Sequence, residues 1–124
     1  MVNLGNLVQT RSWREEKHMP VIEAPEEVKK QEIVEITVAV GKEIPHPNTL
    51  EHHIKWIEVY FIPESVRNPV MLGKYEFSAH GESDIFTEPK VFVHFRTERS
   101  GTILALSLCN IHGLWADSKD VKVE

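Results

Sequence analysis

The stretch Val34-Glu-Ile-Thr-Val-Ala-Val40 places an apolar residue at every second position. That period of two belongs to a pleated strand with one face buried and the other turned outward. The pattern recurs along the chain: Val91, Val93 and Phe95 repeat it, as do Leu104, Leu106 and Leu108. Tyr75, Phe77 and Ala79 alternate with Glu76, Ser78 and His80. Ile54 to Ile62 is nearly continuous in apolar residues, which predicts a central strand covered on both faces. A short last strand is expected around Val121 and Val123. Glycines and prolines, among them Gly41, Pro45, Pro47, Pro63 and Gly101, punctuate these segments. Glu26 to Glu32 follows Pro25 and is dense in charge, so it reads as a solvated loop. No segment sustains a 3.6-residue apolar period. The expected fold is all-β: an antiparallel β-sandwich of about seven strands, of which the immunoglobulin-like arrangement is the commonest.

With 124 residues the chain is the size of one domain, read as residues 1–124 with 1–12 as an N-terminal extension. Its 41% hydrophobic and 27% charged residues are ordinary for a globular domain. The net charge of −5, with basic residues scattered, argues against nucleic acid, which requires a concentrated cationic face. No apolar run approaches the ~20 residues of a membrane span. Met1 to Gln9 lacks the basic and apolar regions of a secretion signal, so the cytoplasm is the expected compartment. The single cysteine, Cys109, leaves no partner for an internal disulfide and excludes a four-thiolate metal site.

Seven histidines are many for this length, and their placement is more telling than their number. His18 follows Glu16 and Lys17, His46 lies between Pro45 and Pro47, and His52 and His53 are adjacent. Cys109 and His112 form a Cys-x-x-His pair. Pro47 restricts the backbone of His46 to extended conformations and so limits where its ring points. A Cys-x-x-His turn brings thiolate and imidazole to one centre, where turn amides can reach the sulfur. Neighbours on an extended chain point opposite ways, so only one of His52 and His53 is expected at a metal, and spacing does not choose between them. His80 and His94 fall on the outward phase of their strands and read as polar surface groups. Trp13, Trp56 and Trp115 read as core or cleft-wall packing. A structural zinc site is closed by four ligands, and four imidazoles with one thiolate exceed that number. Such a mixed donor set suits iron with one position left open.

Five segments carry a resemblance. Glu16-Lys-His-Met-Pro-Val-Ile22, Gly41-Lys-Glu-Ile-Pro-His-Pro-Asn48, Glu51-His-His-Ile54, Phe77-Ser-Ala-His-Gly-Glu82 and Cys109-Asn-Ile-His-Gly-Leu-Trp115 resemble superoxide reductase. The type is the single-iron one, also called neelaredoxin, related to the catalytic domain of desulfoferrodoxin. The match runs from about Trp13 to the C-terminus and is loose across 24–32, 64–73 and 83–86. The resemblance implies an immunoglobulin-like sandwich with one mononuclear non-haem iron. His18, His46, His52 and His112 would be its imidazole ligands and Cys109 its axial thiolate, which selects His52 over His53. It further implies that Glu16 occupies the sixth position in the ferric state and that Lys17 is the cation beside the open site. Desulfoferrodoxins carry an additional cysteine-bound iron domain, for which this chain has neither the length nor the thiols. The implied reaction is the one-electron reduction of superoxide to hydrogen peroxide, with a rubredoxin-like donor and a homo-oligomer, often a tetramer. Two other classes share the ligands: a metal-stabilised β-sandwich binding module and a non-catalytic iron electron carrier.

Overall fold

The computed structural model describes residues 2–12 and 14–124, so the reading of Trp13 falls outside the described residues. The strands are β1 (Pro20–Glu23), β2 (Glu27–Val28), β3 (Val34–Val40), β4 (Ile54–Pro63), β5 (Val70–Glu76), β6 (Lys90–Phe95), β7 (Gly101–Cys109) and β8 (Gly113–Val123). They form a three-stranded sheet in the order β1-β3-β6 and a five-stranded sheet in the order β2-β8-β7-β4-β5. All pairs are antiparallel except β2 with β8. The two sheets face each other across one core. Val34, Ile36, Val38, Val91 and Val93 enter it from the small sheet, and Ile57, Val59, Phe61, Ile103 and Val121 from the large one. No helix among the described residues is long and apolar enough to cross a membrane.

The sandwich has eight strands, in keeping with about seven, and two of them have no counterpart in the sequence reading. One is β1; the other is Glu27–Val28, inside the stretch read as a loop, where Val28 turns into the core and pairs with Val123. Two residues are too few to show a period, so only the parallel partner makes this a strand. The last strand is not short: β8 begins at Gly113 and pairs with β7 as far as Val121. Its middle, Asp117 to Asp120, is polar and half-buried or exposed, so no apolar period marks it. The leucine phase of β7 is also reversed. Ile103, Ala105, Ser107 and Cys109 are buried, and Leu104, Leu106 and Leu108 lie half-buried on the outer face beside Tyr60, Glu58 and Trp56. Both phases of β7 are largely apolar, so alternation alone could not assign the inner one. β4 behaves similarly, with Ile54, Ile57, Val59 and Phe61 buried and Trp56 and Tyr60 half-buried on the opposite face.

Strand register places one end of the sandwich. Pro20 pairs with Val40, Ile54 with Cys109, and Cys109 with Gly113. The segment before β1, the loop after β3 and the β7–β8 turn therefore meet at the same end.

Candidate metal centre

Four of the sequence-selected residues converge there. The donor atoms of His18, His46, His52 and Cys109 all lie within 4.8 Å of one another. His112 joins through Nδ1, 3.1 Å from His18 Nε2, 3.2 Å from His52 Nε2 and 3.7 Å from Cys109 Sγ. Local chemistry explains why each arrives. Gly41 has φ +85°, and a Cβ there would sit 2.6 Å from the His46 backbone nitrogen, so only glycine lets the loop fold back so tightly. Gly113, at φ +86°, reverses the chain directly after His112.

The ring nitrogens and the sulfur are arranged as a metal site requires. His46 donates from Nδ1 to the Pro47 carbonyl at 2.6 Å, which leaves a lone pair on Nε2. That Nε2 is buried with no partner. Such an orphan costs free energy unless something accepts its lone pair, and an ion does so. His18 donates from Nδ1 to Glu16 Oε1 at 2.5 Å and aims Nε2 inward. A carboxylate behind an imidazole fixes its tautomer and strengthens it as a donor. Ring nitrogens facing one another at 3.1–3.2 Å can share a hydrogen, or with that hydrogen gone can all face a common cation. The His112 backbone N–H points at Cys109 Sγ at 3.4 Å, and Cys109 is 1% exposed. This donor set of four imidazoles and a thiolate fits one soft-to-borderline metal ion.

Electrostatics favour the ligating forms. Burial pushes His46 down to about 4 and also lowers His18 and His52, so the rings resist protonation. For Glu16 burial works upward, but the hydrogen bonds from the His18 ring and backbone outweigh it and hold the carboxyl below its ordinary value. Trp115 stacks on His18 with ring centroids 4.8 Å apart and planes 11° apart, so this tryptophan is a cleft wall. A cleft of about 540 Å³ opens over the centre, lined by Gln9, Glu16, Lys17, His18, Ile44 and His112. Cys109 is not part of that lining; it belongs to the hydrophobic core. Glu16 thus sits beside the cleft, with its carboxylate on His18 in this structure.

His53 points away from the centre. Its ring stacks on His80 at 3.6 Å and 9°, and its Nδ1 faces the Thr49 carbonyl. His80 corrects the expectation of a surface group: it is 6% exposed, with ring nitrogens facing Asn48 Oδ1 and the Phe77 carbonyl. The strand that would have turned it outward ends at Glu76, so its phase does not carry to position 80. His94 is outward as expected, 3.6 Å from Glu35. Two asparagines went unnoticed in the sequence. Asn48 bridges His80 to the Thr87 carbonyl, and Asn110 accepts from the His53 backbone N–H and donates to the Glu51 carbonyl. They lock the loop that carries His46 and His52. The adjacency of Asn48 to Pro47 and of Asn110 to Cys109 was the available signal, but a turn asparagine is too common to stand out.

The desulfoferrodoxin family description matches residues 10–118. The superoxide reductase of Thermococcus kodakarensis is 50% identical over 112 residues, covering 90% of this chain and 93% of the relative. The neelaredoxin of Megalodesulfovibrio gigas is 41% identical over 130 residues, covering 99% and 100%. The structure of superoxide reductase (neelaredoxin) from Archaeoglobus fulgidus in the reduced form superimposes with a TM-score of 0.86 at 46% identity, over 94% of this chain and 98% of that one.

Proposed function

The chain belongs to the desulfoferrodoxin family, and from that membership we propose that it is a superoxide reductase working at a single non-haem iron. His18, His46, His52 and His112 would hold the ion as neutral imidazoles and Cys109 as a thiolate. The observation that carries this reading is the buried, unpartnered Nε2 of His46 among the other inward-facing donors, beneath a cleft that a small anion can enter. The net reaction takes one electron and two protons to turn superoxide into hydrogen peroxide. When bound, the metal supplies that electron and a Lewis-acidic position for the substrate oxygen.

The protein's own groups do the rest. Lys17 on the cleft wall offsets the chain's negative charge locally and draws an anion inward. The His112 N–H withdraws density from the Cys109 sulfur and so sets how strongly it donates. Glu16 would keep His18 in the tautomer that ligates, and from the cleft wall its carboxylate would be a further oxygen donor within reach of the site, the role the family resemblance gives it. A rubredoxin-like donor, a homo-oligomer and a cytoplasmic setting complete the reading that the family resemblance supports.

The test supplies iron and zinc together during expression, assays the bound metal, and mixes the reduced protein rapidly with superoxide. We expect iron, and one peroxide formed per superoxide with no oxygen evolved. Bound zinc with no superoxide consumed would instead make the chain a metal-stabilised binding module. Simple outer-sphere oxidation would make it an electron carrier.

A further inference from the structure

The segment before residue 10 lies outside the family match, yet it reaches the metal centre. Gln9 runs parallel to β8 opposite Trp115, donating its N–H to the Leu114 carbonyl and accepting from the Ala116 N–H, each at 2.9 Å. Thr10 Oγ1 adds a bond to the Ala116 carbonyl at 3.0 Å. From this strap the Gln9 side chain extends into the cleft, and its Nε2 donates to the His112 carbonyl at 3.1 Å. The same carbonyl accepts from Trp115 Nε1 at 3.2 Å, so both of its lone pairs are used. On the other side of the residue, the His112 N–H is held by the Cys109 sulfur. Both peptide groups flanking His112 are thereby tied down while its ring faces the other ligands.

We propose that Gln9 is a positioning residue of the metal centre: its amide fixes the Cys109–His112 turn and through it the N–H···S contact that tunes the thiolate. The N-terminal strap is then a working part of the site rather than an appendage. Trp115 is buried and also braces His18, whereas Gln9 is half-buried at the surface, so its amide can be removed with little damage to the core. This rests on the metal-centre reading above but not on superoxide as the substrate.

The experiment uses the full chain freed of metal and reloaded with cobalt(II), whose thiolate absorption reports on the sulfur. In Gln9→Met, which keeps length and removes the donor, cobalt should be released to a chelator roughly two- to tenfold faster, the range of one net hydrogen bond. The sulfur-to-cobalt band should move to longer wavelength as the N–H···S contact slackens, with the melting temperature of the metal-free protein unchanged. Thr10→Val, which weakens the strap without touching His112, should leave the band in place. An unmoved band and parental release rate in Gln9→Met would overturn the proposal. So would Thr10→Val reproducing both changes, because strap docking and not the amide would then set the turn. A parent protein that binds cobalt through its thiolate but ignores superoxide would sink the enzymatic reading and leave this one intact.

Discussion

Glu16 and Lys17 are neighbours on the same cleft wall but act on different things. Glu16 has its carboxylate on His18 Nδ1, and removing a partner of that kind weakens metal binding about 10- to 100-fold. Glu16→Ala should therefore lose metal faster in a chelator competition, while the superoxide rate per bound iron stays near that of the parent. A collapse of that rate would make Glu16 a proton donor. Lys17 lines the cleft and acts through its charge, so Lys17→Ala should slow superoxide capture by up to about tenfold. The slowing should fade as salt rises, because the Debye length shrinks. Pulse radiolysis at two ionic strengths checks this, and equal rates at low salt would remove Lys17 from steering. At this scale much was legible: Pro-His-Pro and Cys-x-x-His single out, by residue type, side chains that the fold brings together. The burial of His80 was not, since it depends on where a strand stops.

At the scale of elements, the loop from β3 to β4 carries the most demanding geometry. It delivers His46 and His52 and is pinned by Gly41 at one end and by Asn48, His80 and Asn110 along its length. Gly41→Ala forces a side chain into left-handed backbone and against the His46 nitrogen. We expect a loss of about 1–3 kcal/mol in denaturant unfolding of the metal-free protein. The same variant should bind metal weakly, because the ring of His46 is displaced. Unaltered unfolding and metal titration would show that the loop is looser than its geometry implies. The strands were mostly legible from alternation, which survives wherever one face is buried. It failed where both phases are apolar, as in β7, and where a strand of two residues, β2, exists only through its partner.

For the whole molecule, two sheets close at one end around rings that the fold keeps neutral. Because burial lowers His46 to about 4 and also lowers His18 and His52, the unfolded chain binds more protons than the folded one below an ordinary histidine value of roughly 6.5. This contribution to stability is present above that pH and is lost as pH falls toward about 4. Metal-free protein should thus unfold at lower denaturant at pH 4.5 than at pH 7, and loaded protein should release its ion over the same window as protons compete for the ligands. A stability that rises on acidification would contradict the burial of these rings. Composition, alternation and the histidine and cysteine motifs by themselves determined an all-β domain with a cluster of donors able to hold a metal, because those features are written in residue type and spacing. Tertiary structure alone decided which face of β7 is inward, that His53 turns to His80 while His52 turns to His112 and Cys109, and that Gln9 reaches His112. Each depends on contacts between residues far apart in the chain, and no local pattern encodes a partner a hundred positions away.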